Sequence, residues 1–261
     1  DVDLLVKLDK KLQFIDLANV LAHSNTVLLQ TTMGAVAQTD QAILNEAHAQ
    51  GLICPDKRYD KDTTSAAGAY VATPKKGMHK WVGSIDLNSL YPSIIRSCNM
   101  STETIIGQVR QVYTKELIAN AKTVAEAWEG RFACPEYELV MQKNIEEILH
   151  LDFEDGTSFE ATGAEIYEIV FNSGQPWIIS ANGTIFTYEK KGVIPGLLER
   201  WYAERKVLQT KARDARAEGG DKFAYWDKRQ LVKKINLNSL YGALLNPGSR
   251  FFDSRLGQST T

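Results

Sequence analysis

The sequence predicts an α+β protein, and three observations carry that prediction. Residues 195–244 read as two long helices broken at Gly219-Gly220. Residues 177–188 read as two β-type runs around Asn182-Gly183, the strongest short-range hairpin signal. Helical periodicity (Leu4, Leu5, Leu8, Leu12, Ile15) begins at once. The chain has 261 residues, 44% hydrophobic and 24% charged, enough for one or two domains with a core of their own. Disordered, collagenous and low-complexity classes are excluded by the same fractions.

Taken in order, residues 3–22 predict one amphipathic helix. Residues 39–50 predict another, with Thr39 as N-cap and Gly51 just past its end. Asp60 to Gly77 is polar and rich in small residues, and reads as a connector. Trp81–Leu87 predicts a strand that breaks into Asn88-Ser89-Leu90-Tyr91-Pro92, where Ser89 is placed to cap a helix with Pro92 in its first turn. Residues 114–129 and 136–150 predict helices. The hairpin at 177–188 follows. Pro195 then opens a helix to about Ala217, and a second runs from about Asp221 to Leu244, making an antiparallel αα-hairpin.

Thirty basic against 32 acidic residues leave net charge −2, so no global positive field is present. The charge is unevenly spread. From Glu199 to Lys234 there are 11 basic and 6 acidic residues, a local excess of five. Cys54, Cys98 and Cys134 form no C-x-x-C pair, which argues against a disulfide framework or a zinc knuckle and fits a reducing compartment. No apolar run approaches the ~18 residues of a membrane span. The expectation is a soluble, cytoplasmic protein without a membrane partner. The start at Asp1 and the end soon after a strong motif predict an internal piece of a longer polypeptide.

Leu-Asn-Ser-Leu-Tyr occurs twice, at 87–91 and 237–241, with flanks that differ and so give no sign of a duplicated domain. In the first copy Asp86 sits at the end of the expected strand. A carboxylate there, with the Leu87 carbonyl, offers oxygen ligands to a divalent cation; the plain alternative is a turn or capping Asp. Tyr91 follows five positions on, either a functional ring or a packing aromatic. In the second copy Lys234, Asn238 and Tyr241 fall within about 60° of one helical face, and Gln230 extends it. Arg205, Gln209, Arg213 and Arg216 form a comparable stripe on the preceding helix. Two such stripes suit a polyphosphate or a nucleic-acid backbone, against the plain alternative of a solvated charged face.

Asp86-Leu87-Asn88-Ser89-Leu90-Tyr91-Pro92-Ser93-Ile94-Ile95 resembles the first conserved polymerase motif of the family B (alpha-like) DNA polymerases. Lys234-Ile-Asn-Leu-Asn238-Ser-Leu-Tyr241-Gly242 resembles that family's fingers motif, K-x-x-x-N-S-x-Y-G. Ala67–Val71 is similar to the family's linker between exonuclease and polymerase regions, and Ile179–Pro195 looks most like the replicative enzymes of tailed bacteriophages. The resemblance covers roughly 60–261, and Asp1-Val2 with the Leu-rich helix is similar to the end of the third exonuclease motif.

The resemblance implies a right-hand fold. Residues 1–59 would end an exonuclease or N-terminal region, 60–194 form palm with linker and insertion, 195–244 form the fingers, and 245–261 return to the palm. Asp86 would be the catalytic carboxylate, holding Mg²⁺ with the Leu87 carbonyl in a two-metal site. Leu87, Ser89, Leu90 and Tyr91 would meet the incoming dNTP, with Tyr91 under its deoxyribose. Arg205 and Lys234 would grip the triphosphate, Asn238 and Tyr241 would shape the base-pair pocket, and Gly242, Arg213 and Arg216 would contact DNA. The implied partners are primer–template DNA and dNTP, with a sliding clamp and other replisome proteins reached through regions outside this chain. The implied location is the cytoplasm, that of an infected bacterium if the source is viral. Two departures stand out. Gln209 replaces a second cation one turn after Arg205, and the D-T-D motif carrying the second catalytic Asp is absent from these residues. A non-catalytic nucleic-acid-binding relative is therefore the competing reading, and an unrelated protein with coincidental motifs is the third.

Overall fold

A computed structural model describes residues 2–57, 72–110, 148–219 and 222–261. Contacts divide the chain into two compact units, Asp1–Thr63 with Val193–Asp253, and Thr64–Gly192 with Ser254–Thr261.

The first unit is helical. Its N-terminal region is two helices, α1 (Val2–Leu12) and α2 (Phe14–Asn25), where one was predicted. The break is Gln13, in the left-handed region at φ 54°. Asp9 staples it from both sides, its carbonyl accepting from the Gln13 N–H at 2.6 Å and its carboxylate from the Ile15 N–H at 3.1 Å. Helix α3 runs Ala35–Ala49, four residues earlier than the predicted start. Gly34 takes the N-cap position, and Thr39 is a buried interior residue rather than a cap. Nothing in Ala35–Gln38 breaks a helix, so a capping-type residue at 39 was no reason to start there. Gly51 does mark its end, at φ +72°.

Helices α6 (Val193–Ala217) and α7 (Lys222–Leu244) lie along one another and match the predicted pair closely. Gly219, at φ +72°, supplies the left-handed backbone that ends α6. Cross-helix partners step from tip to root (Arg216 with Phe223, Lys211 with Trp226, Arg205 with Gln230, Glu204 with Lys233), which fixes the antiparallel sense. Ile194, Leu197, Leu198, Trp201, Val232, Leu237 and Leu240 are buried, as are Leu21 of α2 and Ile43 of α3. Helix α7 packs on α2, α3 and α6. Each fully buried aliphatic side chain stabilises by roughly 1.5–3 kcal/mol, so this shared face holds the pair in place.

The second unit carries a five-stranded antiparallel sheet in the order β3-β2-β1-β5-β4. The strands are β1 (Ile105–Arg110), β2 (Ile148–Phe153), β3 (Ser158–Thr162), β4 (Trp177–Ile179) and β5 (Thr184–Thr187). The predicted hairpin is β4–β5, turning at Asn182-Gly183 with the Gly183 N–H donating to the Ser180 carbonyl at 2.9 Å. Helix α5 (Gly163–Tyr167) and the π-turn after it cover one face, where Ile166 and Val170 meet Val109, Leu149, Leu151 and Ile185. Helix α4 (Leu90–Ser97) precedes the sheet, and α8 (Ser254–Thr260) packs on α4.

Two predicted elements of this unit fail. Residues 148–150, placed at the end of a helix, begin β2: Leu149 and Leu151 are fully buried and their neighbours are not, a period of two. The helix over 114–129 and the rest of 136–150 lie outside the described residues. Trp81–Leu87 is not a strand, and Trp81, Val82, Ile85 and Leu87 are exposed. A strand needs a neighbour to satisfy its backbone, and none of the described strands pairs with it.

Candidate functional site

The residues of the first motif belong to the second unit. Asp86 and Leu87 lie in the exposed extended run ahead of α4, with Leu87 63% exposed. Ser89 occupies the N-cap position of α4 in the left-handed region, φ 53°, and its side chain caps nothing. Its hydroxyl donates instead to Asn88 Oδ1 at 3.4 Å, while its carbonyl accepts from the Ser93 N–H at 2.9 Å and so starts the helix. A left-handed serine is uncommon and makes the turn between Asp86 and Tyr91 sharp. Leu90 is 42% exposed, Tyr91 is half-buried in the first turn, and Pro92 is buried behind it. The turn therefore presents a carboxylate, two exposed leucines and a ring held by the helix start.

The far end of α4 is anchored by a residue that sequence reasoning missed. Asn99 is buried at φ 51°, its amide donating to the Thr187 and Lys190 carbonyls at 2.7 and 2.8 Å. Its Oδ1 accepts from the Gly192 N–H at 2.9 Å. An asparagine in a polar loop carries no sequence signal of such a role; only its tolerance of the left-handed region hinted at it. Beside it, burial pushes the Cys98 thiol up, so this cysteine is a poor nucleophile.

The second motif lies in the first unit, on α7. Val232, Asn236, Leu237, Leu240, Ala243 and Leu244 are buried; Lys234, Asn238 and Gly242 are exposed and Tyr241 is half-buried. The predicted polar face is thus the one left open by packing. The two predicted stripes adjoin, because Arg205 Nε donates to Gln230 Oε1 at 3.4 Å and Gln230 in turn donates to Asp227 at 3.0 Å. Farther out, Gln209 is half-buried, Arg213 is exposed 3.8 Å from Asp214, and Arg216 lies over the Phe223 ring at 5.5 Å.

Neighbouring lysines on α7 have opposite fates. Lys233 pairs with Glu204 at 2.7 Å, donates to Ser24 at 3.3 Å and lies near the Trp201 ring. Lys234 has no ion pair among the described residues and is exposed. In the sequence, helical phase and the K-x-x-x-N spacing of the motif are what set Lys234 apart from Lys233. The copy of Leu-Asn-Ser-Leu-Tyr in α7 buries Leu237 and Leu240, whereas the first copy exposes Leu87 and Leu90. One pentapeptide adopts two conformations because packing, not local preference, decides.

Among the described residues no three His, Cys, Asp or Glu side chains gather as metal ligands. Asp86 and the Leu87 carbonyl are two oxygen donors, where a magnesium ion takes six and a two-metal site needs at least a second carboxylate. The described residues do not by themselves fit that group.

Comparison with known proteins shows the family of the chain. The sequence model of DNA polymerase family B matches residues 26–261. The chain is 25% identical to the DNA-directed DNA polymerase of Escherichia phage RB69 and 26% identical to that of Enterobacteria phage T4, in each case over 100% of this chain and 29% of the relative. It is 29% identical to a DNA polymerase of red sea bream iridovirus over 74% of this chain and 20% of the relative. The chain therefore spans less than a third of the length of these relatives. Its fold is similar to that of the family B DNA polymerase from the hyperthermophilic archaeon Pyrobaculum calidifontis, with a TM-score of 0.59 at 18% identity over 98% of this chain and 26% of the other. With the match running through both motifs and reaching back to residue 26, the chain belongs to DNA polymerase family B.

Proposed function

We propose that this chain contributes palm and fingers to a template-directed DNA polymerase, which joins a dNTP to a primer 3′-OH and releases pyrophosphate. Helices α6 and α7 are the fingers, and the sheet with the Asp86 turn belongs to the palm. Arg205 and Lys234 bind the triphosphate, Asn238 and Tyr241 border the nascent base pair, and Arg213, Arg216 and Gly242 meet DNA. On the palm side Leu87, Ser89, Leu90 and Tyr91 border the nucleotide. Asp86 and the Leu87 carbonyl are the share of a Mg²⁺ site that this chain supplies, its second carboxylate lying elsewhere. Primer–template DNA and dNTP are the partners, and clamp and replisome contacts would be made by other regions, in the host cytoplasm.

The observation that carries this reading is the open polar face of α7. Six apolar or amide side chains of the helix are buried, yet Lys234 and Asn238 stay exposed beside Arg205 and Gln230. Protein packing makes no use of that lysine. A triphosphate does, through a charge-assisted hydrogen bond. In the intact polymerase Lys234→Ala should lose roughly 1.5–3 kcal/mol, about a 10- to 150-fold fall in catalytic efficiency toward dNTP. Primer-extension kinetics check it, with Lys233→Ala as the control. Unchanged nucleotide kinetics in Lys234→Ala, with a large effect in Lys233→Ala, would overturn the assignment.

A further inference from the structure

The distal half of the α6–α7 pair carries a feature that the nucleotide-binding face does not use. Five cation–ring pairs occur among the described residues, all of them on these two helices: Lys206 with Tyr202, Lys211 with Trp226, Arg216 with Phe223, Arg229 with Tyr225 and Lys233 with Trp201. Such contacts ordinarily occur about once per 70–80 residues. Two cations of α7 are neutralised, Lys233 by Glu204 and Lys228 by Asp16. Lys211, Arg216 and Arg229 have no carboxylate partner among the described residues.

The centre of the feature is a pair of rings. Tyr225 and Trp226 meet edge to face, centroids 4.8 Å apart and planes at 83°. The Arg229 guanidinium lies 3.9 Å from the Tyr225 centroid, and Lys211 reaches across from α6 to within 4.6 Å of the Trp226 centroid. Tyr225 is 49% exposed, so this is an accessible ring and not a core aromatic. Aromatic rings at the surface, with cations beside them that have no carboxylate partner among the described residues, match a chain that offers both flat π-faces and phosphates. A duplex hides its bases and would use only the cations. An acidic peptide or a membrane surface would leave the rings without a stacking partner.

We infer that Tyr225 and Trp226, with Lys211 and Arg229 beside them, form a second nucleic-acid site that binds unpaired single-stranded DNA by base stacking, separate from the Lys234 face. It rests on the reading of the chain as one that works on DNA, and it adds a class of ligand and a mode of binding.

The test is fluorescence anisotropy on the whole chain, with chelator and without nucleotide, using oligothymidylate of about 20 nucleotides and an abasic strand of equal length. Stacking one base on an aromatic side chain changes affinity about 5- to 150-fold. The wild-type chain should prefer oligothymidylate over the abasic strand by a factor in that range. Tyr225→Ala should lose that preference, Tyr225→Phe should keep it, and both should retain the same salt slope. Equal affinity of the wild type for the two strands overturns the inference. So does unaltered oligothymidylate binding by Tyr225→Ala, or tighter binding of duplex DNA or of anionic lipid vesicles. Circular dichroism verifies folding; if Tyr225→Ala does not fold, the strand comparison on the wild type and on Arg229→Ala decides. Because no nucleotide is present, failure here leaves the Lys234 result standing, and failure there leaves this one standing.

Discussion

At the scale of single residues, the turn between Asp86 and Tyr91 is the most informative place in the chain. Ser89 at φ 53° forces the backbone round, and buried Pro92 fixes the helix start behind Tyr91. The backbone that carries the ring is therefore fixed by the turn and by the packing of Pro92. If Tyr91 lies under the deoxyribose, a rigid ring rejects a 2′-hydroxyl by collision. On the proposed polymerase reading, Tyr91→Ala in the whole protein should strongly raise ribonucleotide incorporation in a primer-extension assay, and Tyr91→Phe should change it little. Retained sugar selectivity in Tyr91→Ala would make the residue a packing aromatic. Asn99 tests structure rather than chemistry. Its one amide satisfies two carbonyls and one N–H around the segment that closes the sheet unit. Asn99→Ala removes three bonds and leaves the buried Gly192 N–H without its acceptor, a loss of about 2–4 kcal/mol that thermal unfolding should register. Asn99→Asp should do no better, because a carboxylate oxygen would then face two carbonyls.

At the scale of elements, sheet and helical pair differ in how plainly the sequence announced them. The αα-hairpin was legible almost to the residue, because Pro195 and Gly219-Gly220 punctuate two long runs whose apolar positions stay in phase. The β4–β5 hairpin was legible from Asn182-Gly183. Strand β2 was misread because Ile148-Leu149-His150-Leu151 is short enough to fit either period, and tertiary burial of Leu149 and Leu151 decides it. Trp81–Leu87 was misread for the opposite reason, since its strand-like composition finds no partner among the described residues. Centre strand β1 depends on Gly107: a Cβ there would come 2.7 Å from the Asp152 carbonyl, beside a bulge in its pairing with β5. Gly107→Ala must therefore push β2 away, and should lower stability by about 1–3 kcal/mol in chemical denaturation. Helix α5 offers a pH test. Thr162 caps it, and the Thr162 backbone N–H followed by the Thr162 hydroxyl hold the Glu165 carboxyl below its ordinary value. A lowered carboxyl stabilises the fold above the unfolded value and loses that effect as pH falls through the folded value. The cap should open below the ordinary carboxylate range, seen as amide shifts of Thr162 and Glu165, and Glu165→Gln should abolish that titration.

At the scale of the whole molecule, charge and carboxylates are distributed unequally, and the two inequalities predict different things. Net charge is −2, yet residues 199–234 carry an excess of five positive charges along α6 and α7. Nucleic acid responds to the local excess, since phosphates meet side chains within a Debye length and feel little of the rest. The purified 261-residue chain should therefore bind single-stranded DNA despite its acidic balance. Its affinity should fall linearly with the logarithm of salt concentration, by about 0.7 in slope per phosphate contacted. Carboxylates are the scarce component. The motif at 86–95 supplies Asp86, and the motif at 234–242 supplies none. A two-metal site for nucleotidyl transfer would need a second carboxylate beside Asp86 to ligate its ions. The same chain should accordingly show no template-directed extension in Mg²⁺ while it retains salt-sensitive binding. A gel-based primer-extension assay and an anisotropy titration on one preparation separate the two properties. Extension by this chain alone would mean that a carboxylate outside the two matched motifs completes the site. Absence of binding at low salt would mean that the cationic helices serve only solubility.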